Sequence, residues 1–199
     1  MDPKRSALIL IEFQNDFTTP GGVLHDAVKP VMDKTNMLSN TVKLVEAARE
    51  KGVLILHCPI TFTDDYKEIA ETDFGILANV KAGQAFKASG WGGAICDSLT
   101  PVAGDVTIHG KRGLCGFAST NLDFVLRHNK IENVVIGGFL TNCCVESTMR
   151  SAYEKGYRVF TLTDCTAATS VEEQDAAVKF TYPMFSKPVT STDFLSLLA

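Results

Sequence analysis

Two stretches of this chain repeat one phrase. Arg49-Glu50-Lys51-Gly52 runs straight into Val53-Leu54-Ile55-Leu56, and Tyr153-Glu154-Lys155-Gly156 runs into Tyr157-Arg158-Val159-Phe160. In both, a charged last turn meets a glycine able to take the left-handed conformation that ends helices, and a β-rich run follows at once. Ahead of the first phrase, Val31, Thr35, Leu38, Val42 and Val45 alternate spacings of four and three. That is one face of a single helix, with Pro30 near its start. Further strand patterns cover Ala7 to Phe13, Val106 to His109 and Val134 to Gly137, and the second phrase continues to Leu162. Their β-branched content and bounding glycines favour strand over short buried helix. Thr120-Asn121-Leu122-Asp123 reads as a capping-box-like start of a helix reaching Asn129, and another helix spans about Asn142 to Lys155. Strands alternating with helices require right-handed crossovers. The expectation is one three-layer α/β/α domain around a mainly parallel sheet of about six strands. Residues 72–93 are glycine-rich without a clean period, which predicts a long irregular loop.

At 199 residues, 45% hydrophobic and 21% charged, the chain has enough core for a single domain over 1–199 without a disulfide or structural metal. Its longest apolar runs, Ala7 to Ile11 and Val53 to Leu56, fall far short of the ~20 residues of a spanning helix, so no membrane partner is expected. The run behind Lys4 and Arg5 stops at Glu12, too short for the apolar region of a signal peptide. Nineteen basic against 23 acidic residues, with no basic cluster, gives no reason to expect nucleic acid or anionic lipid as a partner. Six cysteines, at 58, 96, 115, 143, 144 and 165, form no C-x-x-C pair. The expectation is a cytoplasmic protein with free, mostly buried thiols.

Ligands of open parallel sheets bind at the carboxyl ends of the strands. The first strand ends in Glu12-Phe13-Gln14-Asn15-Asp16-Phe17, the third in Gly110-Lys111-Arg112, and the fourth in Gly137-Gly138-Phe139-Leu140-Thr141-Asn142-Cys143-Cys144. The last of these puts a cysteine in the first turn of a helix. Unpaired N–H groups and the helix dipole there favour a thiolate, and the same groups can catch an oxyanion.

These residues resemble the isochorismatase-like cysteine hydrolases, whose members include nicotinamidases and N-carbamoylsarcosine amidohydrolase. Thr141 to Thr148, behind Gly138, is similar to the family motif T-N-x-C-V-x-x-T. Gln14 to Phe17 matches its Q-N-D-F, and Gly110-Lys111 is a third anchor; the likeness runs from Ala7 to about Ala168. The resemblance implies a Rossmann-like strand order, Cys144 rather than Cys143 as nucleophile, and Lys111 as the family lysine. It also implies an oxyanion hole from the backbone N–H groups of Leu140 and Cys144, and a cis peptide between Phe139 and Leu140. Glu12 stands where the family usually has aspartate; glutamate can do the same proton work with one more methylene. Asp16 then falls to a turn or cap role. The implied reaction is hydrolysis of a small-molecule amide or related C–N bond through a thioester, without a cofactor, in a homo-oligomer (dimer or tetramer).

The nicotinamidase branch carries an aspartate and two histidines after its second strand. Here Leu56 to Asp65 holds only His57, while His25, His109 and His128 lie elsewhere, so no metal site is expected and His57 reads as a pocket or core residue. Phe17, Trp91 and Phe117 are candidates for an apolar substrate pocket. Two rival readings remain. One is vinyl-ether hydrolysis of the isochorismatase type, a branch that typically lacks the cysteine; the other is a non-catalytic protein whose Cys143-Cys144 pair senses oxidant.

Overall fold

In the computed structural model, which describes residues 1–198, six parallel strands form one sheet. They are β1 (Ser6–Ile11), β2 (Leu54–Cys58), β3 (Val106–Thr107), β4 (Asn133–Phe139), β5 (Arg158–Ala167) and β6 (Lys187–Val189), in the order β3-β2-β1-β4-β5-β6. This is the doubly wound, Rossmann-like order, and its direction reverses between β1 and β4, where such folds bind ligands. β1 and β4 are buried along their whole length. They read as unbroken apolar runs because helices cover both faces.

Nine helices surround the sheet among the described residues: α1 (Asn15–Thr18), α2 (His25–Thr35), α3 (Met37–Glu50), α4 (Ile76–Ala82), α5 (Leu122–His128), α6 (Glu146–Glu154), α7 (Val171–Ala176), α8 (Tyr182–Phe185) and α9 (Ser191–Leu197). The two-residue period of β1 divides the core. Leu8 and Leu10 pack with Val31 of α2, Val45 of α3 and Phe194 of α9, whereas Ala7, Ile9 and Ile11 pack with Leu126 of α5 and Met149 of α6. None of these helices is long and apolar enough to cross a membrane.

Both helix-stop phrases fold as read. Gly52 and Gly156 each take φ 84°. The Val53 N–H donates to Ala48 O at 3.0 Å and the Tyr157 N–H to Ala152 O at 3.1 Å, the wide bond that closes a glycine-terminated helix.

Four local expectations change. The helix expected around Val31 to Val45 is two helices, broken at Asn36 with φ 53°, and Pro30 lies inside α2. Asparagine tolerates this conformation, and the Asn40 Nδ2 donates to Thr35 O at 3.0 Å across the break. A one-residue break leaves the same stripe facing the sheet, so the spacing gave no sign of it. The start of α5 lacks the reciprocal capping pair: Thr120 Oγ1 accepts from the Leu122 N–H at 3.1 Å, while Asp123 is engaged by Tyr157 and Arg127. The segment 72–93 contains α4, entered through Gly75 at φ 83°. Finally, β6 was not singled out by pattern, because it is three residues long and carries Pro188, as an edge strand can.

Under α3, the β2 residue His57 is 1% exposed. Its Nε2 lies 3.1 Å from Asp105 Oδ2, the same carboxylate that Arg49 grips through Nε and Nη2, and its Nδ1 has no partner. Burial holds His57 below its ordinary 6.5, outweighing the pull of Asp105. The folded chain therefore resists a proton that the unfolded chain accepts. Stability should rise with pH up to about 6.5 and fall below it, by at most ~1.4 kcal/mol per pH unit. Thermal melts between about pH 7.5 and about pH 5.5 should show a larger acid loss of Tm in the wild type than in His57→Gln. Equal acid losses in the two proteins would remove His57 as the cause.

Candidate active site

Three strand ends meet at the reversal point. Beyond β1, Glu12 takes φ 59°, a region that non-glycine residues seldom occupy. Its N–H donates to Cys58 O at 3.2 Å, and its carbonyl accepts from the Gln14 N–H at 2.7 Å. This tight turn directs the Glu12 carboxylate inward, where it is 2% exposed. Beyond β3, Lys111 is fully buried, and its Nζ donates to the Glu12 carboxylate and to Gly113 O at 2.7 Å. The pair joins positions 99 residues apart.

Beyond β4 the backbone passes hard against β1. A Cβ on Gly138, at φ 131°, would lie 2.0 Å from Ile11 O, so only glycine fits. The Phe139–Leu140 peptide is cis. A wide helical turn over Thr141–Val145 then leads into α6. In that turn Leu140 O accepts from the N–H groups of Cys143 at 3.0 Å and Val145 at 3.2 Å; the Cys144 N–H takes part in neither bond. Thr141 Oγ1 donates to Gln174 Oε1 at 2.5 Å, and the Tyr182 hydroxyl donates to Thr141 O at 3.2 Å. Both bonds pin the turn from α7 and α8. Cys144 is 4% exposed and lines a cavity together with Glu12, whereas Cys143 is half-buried.

The electrostatics differ from a preformed thiolate. A hydrogen bond with Cys143, burial and the Glu12 charge all push the Cys144 thiol well above its ordinary range, and only Lys111 pulls it down. Burial opposes the Lys111 charge as well, but Glu12 and the nearby thiols more than offset this and hold the ammonium above its usual value. The resting arrangement is a neutral thiol facing a lysine–glutamate ion pair. The helix terminus does not win, because the hydrogen bond with Cys143 and burial oppose a thiolate, and the cation beside the thiol already has a counter-ion.

The cavity has a volume of about 210 Å³. Phe17 forms part of its wall, stacked on Phe139 at 4.7 Å and leaning on Phe86 at 5.1 Å. Trp91 and Phe117 are elsewhere. Trp91 is 55% exposed on a short turn whose carbonyl accepts from Asn15 Nδ2, and Phe117 packs on Tyr157 in the opposite core layer. The wall they were expected to form comes from Ile76, Leu77 and Val80 of α4. Their i, i+1, i+4 spacing behind Gly75 was the available signal. Two side chains hold this wall without lining it. Gln14 binds Ile60 through both amide ends and Gly93 O at 2.7 Å. Asp16 accepts from the N–H groups of Phe86 at 2.7 Å and Val23 at 3.2 Å, the turn-holding role expected of it. Among the described residues, no three His, Cys, Asp or Glu side chains come together as a metal ion would need.

A cysteine-bearing turn at the reversal point of a doubly wound sheet narrows the protein to one class of α/β domain, and comparison with known proteins narrows it further. The Isochorismatase domain model matches residues 6–193, and the chain belongs to that family. It is 29% identical over 211 residues to the ureidoacrylate amidohydrolase RutB of Agrobacterium fabrum, covering 100% of this chain and 92% of that one. Among solved structures it is similar to a cysteine hydrolase from Pseudomonas syringae pv. phaseolicola, with TM-score 0.87 and 25% identity over 98% of this chain and 93% of that one. It is also similar to N-carbamoylsarcosine amidase from Thermoplasma acidophilum, with TM-score 0.74 and 25% identity over 94% and 96% of the two chains.

The Glu12 charge raises the thiol and Lys111 lowers it, so Glu12→Gln should leave Lys111 facing Cys144 uncompensated. Near neutral pH, iodoacetamide should then label Cys144 several-fold faster in Glu12→Gln than in the wild type, as read by peptide mapping after a timed pulse. An unchanged or slower rate would contradict the electrostatic account.

Proposed function

We propose that this protein is a cysteine-dependent hydrolase of a small-molecule amide or related C–N bond, acting through a thioester on Cys144. The observation that carries the proposal is the buried Lys111–Glu12 ion pair, whose carboxylate lines one cavity together with Cys144. A desolvated ion pair is hard to account for as a stabilising device alone, whereas a fixed carboxylate beside a neutral thiol is what nucleophilic attack requires. The activities for which the relatives are named, ureidoacrylate amidohydrolase and N-carbamoylsarcosine amidase, lie in the same reaction class.

In this scheme Glu12 accepts the Sγ proton as Sγ bonds to the substrate carbonyl carbon. The carbonyl oxygen gains charge against the N–H groups of Leu140 and Cys144. Glu12 returns the proton to the nitrogen as the C–N bond breaks, and the amine departs. Water then gives a proton to Glu12 and attacks the thioester; the carboxylic acid leaves, and Sγ takes the proton back. Lys111 stays charged throughout and fixes the carboxylate between these two transfers. The resting neutral thiol suits this scheme, because the base is needed in the first step.

Ammonia release from a panel of small amides tests the activity. Cys144→Ser should abolish turnover, and quenched wild-type reactions should show an acyl mass on the Cys144 peptide. Glu12→Gln should lower kcat by roughly 10² to 10⁴, the usual contribution of a positioned acid–base group. Glu12→Asp should retain partial activity, since the shorter carboxylate stands about an ångström back from the thiol. Full activity in Cys144→Ser would end the proposal.

A further inference from the structure

The space in front of Cys144 limits what an amide there can carry. A dry apolar cavity of about 150 Å³ takes a benzene ring. At about 210 Å³ the cavity therefore holds the amide and its substituent to a total of roughly eight non-hydrogen atoms. Its wall is hydrocarbon, with Ile76, Leu77 and Val80 on α4 and Phe17, Phe86 and Leu140 among the remaining residues. Polar side chains line it in two places only among the described residues. Glu12 and Cys144 sit at the reacting end, and Asn79 and Thr169 are solvent-exposed.

No lysine, arginine or histidine is among the lining residues. The cations at the reacting end are already committed. Lys111 Nζ is held by Glu12 and Gly113 O, while Arg112 donates to Lys111 O and Thr61 Oγ1 and pairs with Glu68. A carboxylate on the far end of a substrate would lose much of its water here and find no cation in exchange, with only the neutral Asn79 and Thr169 side chains as far-end donors. An alkyl or aryl group of the same shape would gain from the same burial.

We propose that the enzyme selects uncharged amides bearing a compact branched aliphatic or aryl group, and rejects amides with a remote carboxylate, with α4 as the selecting wall. This inference rests on the amide-hydrolase reading and deepens it.

The test compares 4-methylpentanamide with succinamate, which share a shape but exchange an isopropyl group for a carboxylate. Turnover is measured on the wild type, and binding to Cys144→Ala by calorimetry. The neutral amide should be favoured in kcat/KM by roughly 100-fold or more. Leu77→Arg, which puts a cation on the partly exposed edge of the wall, should shrink or invert that ratio; Asn79→Arg serves if the first variant does not fold. Equal turnover of both amides, or preference for succinamate, overturns the inference and leaves amide hydrolysis standing. Binding of the neutral amide alone to Cys144→Ala, without wild-type turnover, supports the inference while the hydrolase reading falls. Absence of binding by either amide, or an unchanged ratio in the arginine variant, also overturns it.

Discussion

A lysine and a glutamate buried together beyond the carboxyl ends of the strands fix the geometry around them. Neither charge is tolerable there alone; removing one partner of such a pair typically costs about 3–5 kcal/mol. The pair therefore ties the exit of β3 to the exit of β1 across the intervening β2. Glu12 accepts a left-handed backbone to reach its partner, and the turn through Gln14 follows directly. The same pair sorts the nearby thiols. Cys58, sealed beside it, is pushed up to about 12 by burial and stays an inert hydrophobe. Cys144 faces the cavity that the Glu12 carboxylate also lines.

What the sequence made legible was local. The glycine stops at 52 and 156 depend on the φ of single residues, and the strand runs depend on burial from both sides, so both could be read from neighbours in the chain. The chemistry-bearing positions Glu12, Lys111 and Cys144 were legible for another reason. Each ends a strand, and parallel topology gathers strand ends on one edge. Their meeting follows from strand order, which the family resemblance had implied, and Glu12 and Cys144 share one cavity.

The misreadings concern contacts between distant segments. Trp91 and Phe117 were pocket candidates only as large apolar side chains, a type that near a strand end is more often simply core. The segment that actually lines it is positioned by the Asp16 carboxylate, which reaches Phe86 across 70 residues of chain. No window of sequence contains that bond. The same holds for the state of Cys144. A helix start beside a lysine suggests a thiolate, but the lysine's charge is already matched by Glu12, and this pairing is a property of the assembled sheet.

The position of α4 has a consequence for how such a chain can diversify. The whole stretch between β2 and β3 leaves from one strand and returns to its hydrogen-bonded neighbour, with Leu56 paired to Val106 and His57 to Thr107. It is a closed excursion, a cassette whose two ends are clamped a strand's width apart. Ile76, Leu77 and Val80 lie inside it; Glu12, Lys111 and Cys144 lie outside. Exchanging the cassette would replace these apolar cavity residues while leaving Glu12, Lys111 and Cys144 in place, so the cavity wall and the buried ion pair sit on separable parts of the chain.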